Sequence, residues 1–334
     1  LSQKNQKFRD LLCDFYITFN NPEAAIPLLQ ATLDCYPYSI NHWNSLGKCY
    51  LSTNDYEEAH EAIDFALAID DSNAEALTLK AFCYQQSGEL QKSCDYYLRL
   101  AEQQENKTRA YLALAKTYFE MQDYTSSIYY IEALLDNKDA LSKYELSELY
   151  GDIALCHAAL KHIGVGQASI RRSLELNEND PDTLIVAGRF FLMEAKACND
   201  ETAKAENQAK GELYFRQALN LIMEDERLDY LFTIGAACFD TQNFKLAAQY
   251  YEQINREFPD NAPATYFFLA YCYFYLEEAI SCMHYIAKMK HELPDAYSNL
   301  GTSDSILSDT RFNELMRNLK DSVNNGKVDL DNFL

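Results

Sequence analysis

Glycine and proline are scarce in this chain, at 10 and 7 among 334 residues. A large sheet with many tight turns, or a flexible linker, would use more of both. No run of about 18 or more apolar residues occurs, so nothing in the sequence reads as a membrane-spanning helix. Positive charge is short as well: 29 Lys and Arg stand against 51 Asp and Glu, a formal net charge of −22. Such a surface repels phosphate backbones and anionic headgroups, which argues against nucleic acid and membrane as partners. The excess acid either keeps a long surface soluble or selects a basic partner.

Catalytic signatures are missing too. There is no phosphate-binding loop, G-x-S-x-G elbow or H-E-x-x-H motif. Gly164-Val165-Gly166 follows a helical stretch and has no third glycine at dinucleotide-binding spacing. His284 and His291 share a helix face but lie roughly 10 Å apart at 1.5 Å per residue, too far for one metal. His157 and His162 straddle a helix end, and neither pair has zinc-site spacing. The acid pairs Glu57-Glu58 and Glu277-Glu278 fall near turns and helix starts, where carboxylates favour the helix dipole. No catalytic residue, metal or cofactor is expected.

What is present is a period. Tyr16, Tyr50, Tyr84 and Tyr118 stand at intervals of 34. With Trp43 as position 4 of a 34-residue unit, position 8 is Cys13, Gly47, Ala81, Ala115, Ala154, Gly188, Gly235 and Ala270. Position 20 is Ala25, Ala59, Ser93, Ser127, Gly166, Gly211, Ala247 and Cys282. Both columns are small throughout, while position 24 is large, from Leu29 and Ile63 to Phe215, Tyr251 and Ile286. Two antiparallel helices approach closely only where their facing side chains are small. One hairpin cannot cover its own apolar face, so stacking on the next is required. No two of the ten cysteines have C-x-x-C spacing; Cys49, Cys83, Cys156 and Cys272 all fall just before the Tyr50 position of their units, and Cys13, Cys238 and Cys282 at other small or buried slots. That suggests buried thiols in a reducing compartment rather than a disulfide framework, and a cytoplasmic location is expected.

The pattern Trp43, Leu46-Gly47, Tyr50, Ala59, Ile63 and Ala66, with Pro37, Pro259 and Pro294 at unit ends elsewhere, resembles the tetratricopeptide repeat. Its general style resembles bacterial members of that family. The resemblance covers about residues 6–296, in units 6–39, 40–73, 74–107, 108–141, 147–180, 181–227, 228–261 and 263–296. It implies an all-α, right-handed superhelix (an α-solenoid) of eight helical hairpins. Residues 142–146 read as a spacer. In the sixth unit an 11-residue insertion near A-C-N-D-E-T-A-K-A-E-N-Q is expected to lengthen the two helices or form a solvated loop. After 296 a connector over 297–307 is expected to lead to a capping helix. That helix would start at Ser308 or Asp309, run to about Asn324 and present Phe312, Leu315, Met316 and Leu319 on one face. An acidic, partly apolar tail follows.

In the family, a second stripe of the first helix, at positions 2, 5, 9, 12 and 13, lines the concave surface and binds peptides or partner helices. Here the stripe changes along the chain. In the first half it carries Asn44, Lys48, Arg109, Lys116 and Phe119. In the second half it carries Ile185, Arg189, Leu192, Met193, Phe232, Phe239, Phe267, Tyr271, Phe274 and Tyr275. An aromatic stripe not filled by the next repeat must be covered by a separate partner, by the chain's own C-terminal tail or by a second copy. Some members hold a peptide's terminal carboxylate with Lys and Asn at set positions; Asn44, Lys48 and Arg109 are out of place for that. The reading is a non-catalytic scaffold for protein or peptide partners. The rival is a regulatory or sensory region of a larger protein, which the start at Leu1 rather than Met favours.

Overall fold

The computed structural model describes residues 9, 11–13, 15, 16, 18, 19, 21–136, 141–299 and 306–324; the acidic tail lies outside them. Among the described residues there are helices and no strand. The chain divides into two compact units, Leu1–Ser142 and Lys143–Leu334. The first contains α1 (Pro22–Leu33), α2 (Ile40–Ser52), α3 (Tyr56–Ile69), α4 (Ala74–Gln86), α5 (Leu90–Ala101), α6 (Lys107–Glu120) and α7 (Tyr124–Leu135). The second contains α8 (Lys143–Ala159), α9 (Ile163–Leu176), α10 (Pro181–Ala197), α11 (Glu201–Leu219), α12 (Arg227–Asp240) and α13 (Phe244–Glu257). It continues with α14 (Tyr266–Tyr275), α15 (Ala279–Glu292), α16 (Pro294–Asn299) and α17 (Thr310–Asn324).

Side chains start many of these helices by satisfying the free N–H groups of the first turn. Asn73 accepts from Ala76 N at 3.0 Å, Asp123 from Ser126 N at 3.1 Å and Asp180 from Thr183 N at 2.8 Å. Pro22 and Pro181 stand at the first helical position, where the missing N–H costs nothing.

The turn inside each hairpin has one recurring backbone solution. Asn54, Gly88, Gln122, Lys161, Gln242 and Glu277 have φ between 60° and 77°. All six occupy position 15 of their units. The next residue's N–H returns to the carbonyl of position 11: Asp55 to Tyr50 at 2.9 Å, Asp123 to Tyr118 at 2.9 Å, Asn243 to Cys238 at 2.8 Å and Glu278 to Tyr273 at 2.9 Å. This left-handed C-terminal cap satisfies carbonyls that the helix end would strand.

Packing explains the small columns. A Cβ on Gly47 would stand 2.7 Å from Ile63, one on Gly188 2.4 Å from Phe215 and one on Gly235 2.8 Å from Tyr251. Position 8 is therefore small because position 24 of the same hairpin lies against it. Ile63, Phe215 and Tyr251 are fully buried, and each such side chain stabilises the fold by roughly 1.5–3 kcal/mol.

Two local features differ from the sequence-based expectation, and in the sixth unit one of its two alternatives is realised. Residues 143–146 are not a spacer but the first turn of α8, which has 17 residues. Ser147 anchors that end, its hydroxyl lying 3.0 Å from Ser173 O and 3.1 Å from Thr183 Oγ1. In the sixth unit the insertion lengthens the helices, to 17 residues in α10 and 19 in α11, with Asp200 accepting from Thr202 N and Ala203 N at 2.7 and 3.0 Å. In the expected connector, residues 297–299 complete α16 and 306–308 form a single 3₁₀ turn before α17. Asp309 accepts from Arg311 N at 2.8 Å at the start of α17.

Candidate interaction surface

In the first unit, three of the expected polar contacts converge on one acid. Lys48 on α2 forms an ion pair with Glu75 on α4. Asn44 Nδ2 donates to Glu75 Oε2 at 3.1 Å and to Asn73 Oδ1 at 3.0 Å. Burial pushes the Glu75 carboxyl up, but Lys48, Asn44 and the charge of Arg109 outweigh it and hold the group below its ordinary value. Asn44 is only 1% exposed. The expectation that it faces a partner is corrected: its amide nitrogen is used between hairpins. Lys48 is half exposed and keeps a surface while neutralised. Arg109 and Lys116 are exposed on α6, and Phe119 is half-buried against Tyr124 with ring centroids 5.3 Å apart. The seven-residue step from Arg109 to Lys116 is about 10 Å of helix, so Lys116 and Phe119 stand apart from the Glu75 cluster.

In the second unit, the aromatic residues form a connected ladder. Phe232 on α12 lies 6.4 Å from Tyr251. Phe239 meets Phe244, Phe268 and Tyr271 at 5.6, 5.6 and 6.4 Å, each near edge-to-face. Phe267 is 4.6 Å from Tyr271, and Tyr275 stacks on Phe244 at 4.4 Å with an 8° interplanar angle. Edge-to-face and offset contacts of this kind fix ring orientation. Phe267 and Tyr275 remain 40% and 42% exposed. At the edge of the ladder, Arg189 on α10 pairs with Asp240 on α12 at 3.5 Å.

Two parts of the expected stripe are not open. Ile185 and Leu192 are buried, Leu192 against Gly211 of the lengthened α11. Phe274 is 5% exposed because the C-terminal segment covers it: Phe312 lies 6.3 Å away and the Arg311 guanidinium sits over its ring at 5.2 Å. Ile306 and Phe312 share that cluster with Ala270, Cys282 and Ile286. Sequence reasoning missed Phe244 and Phe268 as ladder members, since they stand at positions 17 and 6 of their units, outside the second stripe. Arg311 carried no signal at all; only folding brings it over Phe274.

Among the described residues, no group of three or more His, Cys, Asp or Glu is placed to hold a metal ion, and no helix is long and apolar enough to cross a membrane.

A family model described as the tetratricopeptide repeat matches residues 44–108. None of the curated proteins compared matches the chain in sequence. Among solved structures, the chain is similar to a tetratricopeptide repeat protein from Parabacteroides merdae, at 12% identity and a TM-score of 0.60, over 75% of this chain and 93% of that one. It is also similar to the MamA protein, at 19% identity and a TM-score of 0.47, over 53% of this chain and 94% of that one. A third likeness is to pilF of Pseudomonas aeruginosa, at 18% identity and a TM-score of 0.44, over 66% and 92% of the two chains. The first of these shares the fold. The matched repeat model over residues 44–108, the recurrent 34-residue frame and the all-helical hairpins give the chain the α-solenoid fold of tetratricopeptide repeats.

Proposed function

We propose that the chain acts as a non-catalytic protein-interaction scaffold that takes a peptide or partner helix on the aromatic first-helix face of its second unit. The observation that carries this reading is the exposure of Phe267 and Tyr275 at the ends of an otherwise rigid ring ladder. Such a surface offers large contact area at little entropic cost, since its rings are already held by one another. Aromatic anchors of this type dominate binding energy at protein interfaces. The half-exposed Lys48 and the exposed Arg109 and Lys116 of the first unit supply polar and basic contacts that suit an acidic segment.

The test is affinity capture with the intact chain beside a Phe267→Ala/Tyr275→Ala variant. Proteins recovered by the intact chain should be lost from the variant. Equal recovery by both would overturn the assignment. A Tyr129→Ala variant, altered at an exposed residue of the first unit outside the ladder, should recover the same proteins as the parent.

A further inference from the structure

A second surface has a different chemistry. On α2, Trp43 and Tyr50 lie on a stripe roughly 100–160° round from Asn44 and Lys48, at about 100° per residue. They line a cavity of about 510 Å³ together with Phe65 of α3, a volume within the ordinary range of ligand pockets, about 300–1,000 Å³. Its polar wall is acidic. Asp34, at the end of α1, and Glu58 and Glu61 on α3 line it, and no lysine, arginine or histidine does. The spacing of Glu58, Glu61 and Phe65 puts all three on one face of α3. None of the three carboxylates has an ion-pair partner among the described residues.

The aromatic wall is held in place. Trp43 and Phe65 stack at 4.5 Å with an interplanar angle of 21°. Trp43 Nε1 donates to Pro37 O at 2.7 Å, and Gln30 Nε2 donates to Tyr50 Oη at 2.8 Å. The indole N–H is therefore already satisfied, and what Trp43 offers a ligand is ring surface. Phe65 is 53% exposed. A fixed aromatic surface beside three unpaired carboxylates suits a cation that is planar and carries several donors. A guanidinium stacks on rings and bonds carboxylates in pairs, whereas an ammonium is a compact, strongly hydrated charge.

We infer that this cavity is a binding site for an arginine side chain presented by a basic segment of a partner protein. The site is separate from the aromatic ladder of the second unit and stands or falls independently of it.

Trp43 is the single tryptophan of the chain, so its emission reports this cavity alone. The experiment titrates the full chain with acetyl-Gly-Arg-Gly-amide and, in parallel, with its citrulline counterpart, which keeps the shape and loses the charge. The arginine peptide should change the emission saturably, at a concentration at least about tenfold lower than citrulline requires. Glu58→Gln/Glu61→Gln should weaken the arginine response by a similar factor while the far-ultraviolet circular dichroism stays unchanged. Phe65→Ala should weaken it as well, and the Phe267→Ala/Tyr275→Ala variant should respond like the parent. Four results would overturn the inference: no saturable change in emission, equal affinity for the two peptides, a Glu58→Gln/Glu61→Gln variant that binds like the parent, or emission that depends on protein concentration without peptide, which would assign the cavity to a second copy of the chain.

Discussion

The ring of Phe215 on α11 lies so close to Gly188 on α10 that a Cβ on the glycine would stand 2.4 Å from it. Ile63 meets Gly47 and Tyr251 meets Gly235 in the same way in their own hairpins. One contact, repeated, sets how closely the two helices of a hairpin approach. Gly188→Ala is therefore expected to destabilise despite alanine's better helix propensity. Overpacking costs roughly 1–3 kcal/mol and propensity returns about 1, which leaves a net loss of up to about 2 kcal/mol. Gly164, with nothing within 4 Å of a built Cβ, is the control. Gly164→Ala should leave the urea midpoint unchanged or raise it slightly. Equal effects at the two positions would remove close approach as the reason for the small column.

The turn residue at position 15 makes a reciprocal prediction. Gln242 is exposed and holds φ at 63°, while Gly88 holds φ at 77° with open space around it. A left-handed conformation costs an L-residue roughly 1–2 kcal/mol, part of which glycine gives back through the entropy of the unfolded chain. Gln242→Gly should raise the thermal midpoint, and Gly88→Ala should lower it. A thermal scan showing both changes neutral would contradict the strained-turn account.

Much of the fold is legible in the sequence because its period and its small and large columns are contacts within one hairpin. Gly47 and Ile63, or Gly188 and Phe215, are read from spacing alone. Position 15 is not legible, because Asn54, Gln122, Lys161 and Glu277 share no side-chain chemistry. What they share is a torsion imposed by the hydrogen bond back to position 11. The start of α8 at Lys143 is hidden for a similar reason, since it depends on Ser147 meeting Ser173 and Thr183 from later helices. The candidate surface was legible as a stripe but not as an accessible one. Asn44 is closed off by Glu75 of the next hairpin, and Phe274 by Phe312 of the C-terminal helix.

The Glu75 cluster gives a pH dependence whose sign follows from its carboxyl being held below the ordinary value of 4.5. A depressed acid stabilises the fold above its unfolded value and loses that contribution as pH falls through the folded one. Glu75→Gln should therefore be less stable than the parent at neutral pH, and the difference should vanish in acid below 4.5. Both Glu75 and Lys48 are nearly half exposed, so the difference at neutral pH is only about 0.2–1 kcal/mol after screening. Urea unfolding at several pH values checks it; a difference that grows in acid would contradict the ion-pair account.

The thiols divide by burial. Cys35 is exposed and Cys198 partly so, while Cys13, Cys49, Cys83, Cys94, Cys156, Cys238, Cys272 and Cys282 are buried. Burial pushes the Cys49, Cys83 and Cys94 thiols up to about 11, and Cys272 and Cys282 up to about 12. Only the thiolate is a strong nucleophile. Alkylation of the folded protein with iodoacetamide should mark Cys35 first and Cys198 more slowly, with the rest reacting only on unfolding. Early modification of Cys272 by mass spectrometry would show that its hairpin opens.

The most direct test of the central claim places a photoreactive phenylalanine analogue at position 267 of the full chain and, separately, at position 129. Phe267 belongs to the aromatic ladder, whereas Tyr129 is 63% exposed on α7 of the other unit. Irradiation in the presence of cellular proteins should give discrete adducts from position 267, and Phe239→Ala should diminish them. Position 129 should not give the same adducts. Identical adducts from both positions, or none from 267, would contradict the assignment of that face as the partner-binding surface.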